Sequence, residues 1–243
     1  MGSWIKSIAF VFILFFTYNG ISQQVALNSQ FYYFDFILLT KYVDCVFVPT
    51  EAIKSFLPVV SPRKVKVLPP GCDNLSVNQI NRNDSKIKVL YVGGFGFNYD
   101  LAWFVKEIPK NVELTLCIRK EDVSNISFST ECIKILHLSS DELPEEYKKN
   151  DLAIVPIKKS PYSDVAMPIK VMEALGNEVP LITTDMLEVS NFVLSNNVGW
   201  VIEPNIQSFN RLVSEILSNK EMLCEKKGAV QACKKRNLWS SRV

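Results

Sequence analysis

The sequence predicts an α/β protein built on a parallel sheet flanked by helices. Three observations lead there. From Lys86 onward, short apolar runs of strand length alternate with runs of helical period, the order that a parallel sheet with crossover helices requires. The stretch 151–185, DLAIVPIKKSPYSDVAMPIKVMEALGNEVPLITTD, contains a complete strand, loop, helix, turn and strand. Residues 74–85 are polar and lack an apolar period, which marks them as a linker into the second half.

The first elements are the hardest to read. Lys6 is followed by an apolar run over 8–16 and by small residues at Gly20 and Ser22, in the manner of a signal peptide. The run is too short to span a bilayer as a helix, which needs about 20 residues. The preferred reading is a buried parallel strand, apolar on both faces, with a covering helix over 31–43. The aromatic cluster Phe31, Tyr32, Tyr33, Phe34 and Phe36 then packs in the core, with contact to a membrane surface as the alternative.

In the second half, a strand over 87–92 ends in Gly93-Gly94-Phe95-Gly96 and leads to a helix over 99–108. Strands follow at 112–118 and 133–138, then a short helix over 141–149. Residues 152–157 have strand composition, and Pro156 suits only the strand's end. After a polar loop, Pro168 opens a helix in its first turn, where the missing N–H costs nothing. Ile169, Met172 and Leu175, with Val171 beside them, form its apolar stripe, while Lys170 and Glu173 share another face. Gly176 stops this helix, and Pro180 leads into the next strand. A helix over 189–195, a strand over 199–202 and a helix over 209–217 close the series.

A loop at the C-terminal end of a parallel strand, opening onto a helix N-terminus, is an anion site by geometry. Gly93 and Gly94 allow close backbone approach to a phosphate. Their spacing does not fit a dinucleotide fingerprint, and no acidic residue closes a second strand at the usual distance. Arg119 and Lys120, just past the second strand, lie on the same rim and offset diphosphate charge. The plainer alternative is a tight turn with solvated basic residues, and a solvated surface pair for Lys170 and Glu173.

Composition narrows the class. Of 243 residues, 48% are apolar and 21% charged, as in a soluble protein of one large or two small domains. A net charge of +2 gives no strong nucleic-acid footprint. The six cysteines show no Cys-x-x-Cys spacing and several fall in expected strands. Buried free thiols in a reducing, cytoplasmic compartment are expected rather than a zinc site or disulfide framework. The single histidine, His137, is read as a packed or rim residue. No Asp-x-Asp pair or histidine cluster suggests a metal site.

Pro168, Lys170, Glu173, Gly176 and Pro180 together resemble the corresponding motif of the GT-B glycosyltransferases, especially the retaining family 4. The order of elements from Lys86 resembles the donor-binding C-terminal half of those enzymes. The segments 44–51 and 64–73, and the late Asn197-Val198-Gly199-Trp200 and Trp239, also resemble family positions. The resemblance implies a truncated N-terminal, acceptor-side Rossmann-like portion over 1–73, a linker over 74–85 and a Rossmann-like donor-binding domain over 86–243. It implies a metal-independent, retaining transfer from a nucleotide-diphosphate sugar to a glycan, lipid or protein acceptor, with no further cofactor. The helix start at Pro168 and Ile169, with Lys170 and Arg119, would hold the diphosphate, and Glu173 the ribose. Many members carry a second glutamate eight positions earlier; here that position is Val165, with Asp164 beside it. Asp164 and Glu173 are therefore the catalytic candidates, with Ser163 and Asp164 facing the sugar. The competing readings are a non-catalytic donor-binding remnant, a subunit that needs a partner to supply the acceptor half, and a secreted or membrane-attached α/β binding protein.

Overall fold

A computed structural model describes residues 43–54, 61–75, 85–94, 99, 101–105, 107–125 and 132–242. The apolar run over 8–16 lies outside them, as do nearly all of the expected helix over 31–43 and most of the linker. The chain divides into two compact units, Met1–Pro69 and Pro70–Val243. Residues 70–73, assigned from sequence to the N-terminal portion, thus pack with the second unit.

In the first unit, strand β1 (Val46–Val48) pairs in parallel with β2 (Val65–Val67). Helix α1 (Glu51–Lys54) follows β1 and buries Ile53. Lys64 Nζ donates to the Val43 carbonyl at 2.9 Å.

Among its described residues the second unit holds six parallel strands: β3 (Ile87–Val92), β4 (Val112–Cys117), β5 (Ile133–Leu136), β6 (Leu152–Val155), β7 (Leu181–Thr184) and β8 (Gly199–Ile202). Their order is β5-β4-β3-β6-β7-β8. Helices α2 (Ala102–Val105), α3 (Leu143–Tyr147), α4 (Pro161–Val165), α5 (Ile169–Gly176), α6 (Leu187–Ser195), α7 (Ile206–Ser218) and α8 (Glu221–Arg236) connect and follow them. Two apolar clusters form, one for each face of the sheet. Leu90 joins Val171, Met172, Leu175, Val189 and Val193. Its neighbours in the strand, Val89 and Tyr91, join Phe104, Phe209, Leu212 and Ile216. This alternation along β3 is the period-2 geometry of a strand covered on both faces. Strand order runs outward in one direction through β4 and β5, then returns to place β6 against β3. The crevice beyond the C-terminal ends of β3 and β6 is therefore the switch point at which such sheets receive ligands.

Three expectations change. The loop after β6 contains a short helix, α4, because Ser160 caps it in a reciprocal box with Ser163. Pro168 is the N-cap of α5 rather than its first helical residue. Ile169, placed on the apolar stripe from sequence, is half exposed, and Val171, Met172, Ala174 and Leu175 form the buried face instead.

Helix α8 has no counterpart among the expected elements. Its sequence, EMLCEKKGAVQACKKR, buries Val230 and Cys233 but also Lys234, so no apolar stripe announces it. Lys234 Nζ reaches Glu178 Oε1 at 3.0 Å and also donates to the Leu75 carbonyl. Glu178 stands in a left-handed turn, φ 59°, between α5 and β7. Gln231 donates to its other oxygen at 2.9 Å. The Cys72 N–H donates to the Asn237 carbonyl at 2.8 Å and the Trp239 N–H to the Cys72 carbonyl at 3.1 Å. These bonds tie the end of the chain to the start of the unit. Gly71 is required there: any Cβ would lie 2.7 Å from the Trp239 ring. All six cysteines are free, and Cys72, Cys117 and Cys233 are buried. No helix among the described residues is long and apolar enough to cross a membrane.

Candidate functional site

The switch-point crevice collects several of the sequence candidates. Lys170 is the second residue of α5, and helical side chains lean toward the N-terminus. Its side chain accordingly crosses the end of β3: a Cβ at Gly93 would lie 1.9 Å from Lys170 Nζ and 2.5 Å from its Cε. Gly93 has φ 150°, which side-chain-bearing residues rarely adopt. Its glycine thus serves both the turn and the seat of the lysine. Gly94 approaches the Asp122 carboxylate, and its carbonyl accepts the Tyr91 hydroxyl at 2.8 Å.

The ammonium of Lys170 is buried without a hydrogen-bond partner among the described residues. It rests 3.3 Å from the centre of the Tyr99 ring and 5.2 Å from that of Tyr91. Burial pulls its pKa down to about 8; Glu173 opposes this shift and the Arg119 cation adds to it. Glu173, one turn along the same helix, is half-buried. Burial raises its pKa, Lys170 lowers it, and the nearby Asp73 raises it again. Glu173 is also close enough to Tyr147 and Tyr99 to help hold both phenols neutral, after the dominant effect of burial. The tyrosines close the site from the side: the rings of Tyr91 and Tyr99 meet edge to face at 6.3 Å. Tyr99 is joined by an isolated antiparallel bridge to Ile157, just past β6.

Arg119 follows β4 and is exposed, as is Lys120 at the start of the 3-10 turn Lys120–Asn125. Lys170, Arg119, Glu173, Gly93 and Gly94 are thus brought together, with the α5 start at Pro168 and the exposed Ile169 at its mouth. This arrangement presents cations and a helix N-terminus with Glu173 as the neighbouring acceptor. It is suited to an anion that also carries hydroxyls.

Two candidates are directed elsewhere. Ser163 is 4% exposed, and its hydroxyl both accepts from the Ser160 N–H at 2.7 Å and donates to the Ser160 carbonyl at 3.0 Å. It is the N3 partner of Ser160 in the capping box of α4. Asp164 accepts from the Leu187 N–H at 3.3 Å, because a carboxylate is favoured at the positive end of α6. The capping box has a measurable consequence. Ser160→Ala, which removes the N-cap acceptor of the Ser163 N–H, should lower stability by about 1 kcal/mol, read from the denaturant midpoint at constant slope.

Sequence reasoning missed Tyr91, Tyr99 and Asp73 as neighbours of the site. A tyrosine near the C-terminal end of the otherwise aliphatic part of β3 was the available signal, since its hydroxyl needs a partner when buried. His137, read as a packed or rim residue, lies within 2.8 Å of the Ile118 carbonyl through Nδ1.

Residues 75–229 match the family described as glycosyl transferases group 1. No curated protein matches the sequence. Among solved structures, the chain is similar to sucrose-phosphate synthase from Thermosynechococcus elongatus, at 15% identity and TM-score 0.63, over 91% of this chain and 61% of that one. It is similar to a glycosyltransferase from Rickettsia africae, at 14% identity and TM-score 0.65, over 92% of this chain and 65% of that one. It is also similar to HepE of Anabaena, solved with UDP and glucose, at 13% identity and TM-score 0.62, over 88% of this chain and 62% of that one. At these identities the likeness is one of fold, and the expected parallel sheet flanked by helices is shared with them. The chain spans about three fifths of the length of these neighbours.

Proposed function

Because the chain belongs to the glycosyl transferases group 1 family, we propose that its second unit binds a nucleotide-diphosphate sugar and transfers the sugar to an acceptor hydroxyl. The single observation that carries this reading is the Lys170 ammonium, buried at the switch point without a hydrogen-bond acceptor among the described residues. A buried orphan donor of full charge is costly unless a ligand completes it, and a diphosphate beside Arg119 and the α5 start does so. The nucleotide in the Anabaena neighbour supports the same class of donor.

Within this reading, Lys170, Arg119 and the helix dipole carry the charge of the departing diphosphate without a metal ion. Gly93 and Gly94 admit it closely, and Lys120 adds charge on the rim. The bond from the sugar carbon to the diphosphate oxygen breaks as the acceptor oxygen bonds to that carbon on the same face. The acceptor proton passes to the departing diphosphate. The chain contributes orientation and charge stabilisation to this step. Glu173 accepts hydrogen bonds from the ribose hydroxyls.

Calorimetry with UDP and a chelator tests the metal-free reading, and loss of binding on chelation defeats it. Glu173→Gln should reduce UDP affinity roughly tenfold, ~1.4 kcal/mol. A 2′,3′-dideoxy analogue should bind the unmutated protein more weakly than UDP and lose that disadvantage against the mutant. Equal binding of the two nucleotides to the unmutated protein would remove Glu173 from ribose recognition.

A further inference from the structure

The Lys170 ammonium has no oxygen partner among the described residues, yet it is not open to solvent. Tyr99 covers it with a ring centre 3.3 Å away, and Tyr91 flanks it at 5.2 Å. A cation on the face of a desolvated aromatic ring is held by the ring's negative face. A phosphate oxygen must come within about 2.7–2.9 Å of the same nitrogen to form a charge-assisted hydrogen bond. Ring and phosphate compete for one ammonium.

We infer that Tyr99 is a positioning residue that clasps Lys170 in the ligand-free protein and yields it to the anion on binding. The inference rests on the donor-site reading above. Three features shape the motion. Gly93 fixes the path of the lysine, since its terminal atoms lie where a side chain at that position would be. The Tyr99 backbone is held to Ile157 by the antiparallel bridge, so ring rotation releases the lysine without moving the strand end. The Tyr91 hydroxyl is engaged by the Gly94 carbonyl, so Tyr91 stays as a fixed wall while Tyr99 is the movable one. The surrounding charges favour transfer: Arg119 repels the ammonium, and Glu173, on the same helix, is the carboxylate that attracts it. An arriving anion gains both cations at once. Burial is also the leading cause of the lysine's depressed pKa.

The clasp has a spectroscopic signature independent of activity. Protons above an aromatic ring resonate upfield, so the Lys170 ε-methylene signal should be shifted upfield in the full-length, ligand-free chain. Lysine-labelled protein, with Lys170→Arg to assign the resonance, reads this directly. Tyr99→Ala should return the signal to its ordinary position without ligand, whereas Tyr99→Phe should leave it upfield. Saturating the unmutated protein with UDP should also return it. Tyr99→Ala should bind UDP roughly tenfold more tightly, because the ring no longer competes, and Tyr99→Phe should bind as the unmutated protein does. An ordinary lysine signal in the free protein, an upfield signal that persists at saturation, or weaker binding by Tyr99→Ala would each overturn the clasp. Should UDP not bind the unmutated protein, the donor-site reading fails by itself. The ligand-free spectra of the unmutated and Tyr99→Ala proteins then decide the clasp alone.

Discussion

Lys170→Ala should weaken UDP binding between about tenfold and a hundredfold, the range for a charge-assisted hydrogen bond lost in a desolvated site. The loss is expected in affinity, because the ammonium makes no hydrogen bond among the described residues and is left for the anion. A pH titration sharpens the test. Burial holds the Lys170 pKa at about 8, so the fraction charged, and with it the affinity, should fall as pH rises through that value. The groups that face it are Glu173 on its own helix, Arg119 beyond β4, and the Tyr91 and Tyr99 rings. Lys170→Arg retains its charge and should bind with little change over the same range. The sign for stability is opposite. Between about 8 and the ordinary lysine value of ~10.4 the unfolded chain binds the proton more often than the folded one. This group therefore makes stability rise with pH across that window. Calorimetry at pH 7 and pH 9 checks the binding effect, and unchanged affinity in Lys170→Ala would remove the lysine from the anion site.

Glu178→Gln should destabilise the second unit by about 3 kcal/mol, the usual cost of leaving one charge of a buried pair uncompensated. The Lys234 side chain is 4% exposed and that of Glu178 16%, so neither charge recovers much hydration. The lysine would keep only the Leu75 carbonyl as its partner among the described residues. Removing both charges tests the explanation: the double variant Glu178→Gln, Lys234→Met should regain most of the loss, since an apolar replacement of a buried pair is often close to neutral. Chemical denaturation of the single and double variants decides it. Equal destabilisation in both would mean that packing of α8, rather than the unpaired charge, sets the effect.

The sheet was legible because its strands obey a simple pattern. Leu152–Val155 and Leu181–Thr184 are buried at every position, and continuous apolar runs between turn residues announce strands of that kind. Gly176 and Pro180 bracketed the turn after α5, and the strand Gly199–Ile202 has the bounds expected. Helix α8 was illegible because it is held by Lys234 and by backbone bonds near its end, features that leave no periodic mark. The site was legible to the extent that local geometry builds it. A helix start after a strand brings Pro168, Ile169, Lys170 and Glu173 together within a few residues. The ring of Tyr99 reaches Lys170 through the pairing of β3 with β6 and the Tyr99–Ile157 bridge, which no local pattern encodes. Ser163 and Asp164 were only partly legible for a related reason. A serine and a carboxylate ahead of a helix suit a ligand or a cap equally well, and here the cap of α4 and the N-terminus of α6 claim them.

The space that Gly93 leaves for Lys170 joins two positions far apart in the chain into one heritable character. A side chain acquired at residue 93 would evict the lysine from its seat, because the new Cβ would lie within 2.5 Å of both terminal lysine atoms. Once the lysine is shortened or lost, nothing at Nζ or Cε any longer opposes bulk at residue 93, although the φ of 150° still does. The two positions should therefore drift in a fixed order across descendants of this chain. Change at 170 precedes change at 93, and a lineage that has filled the glycine has already given up the cation.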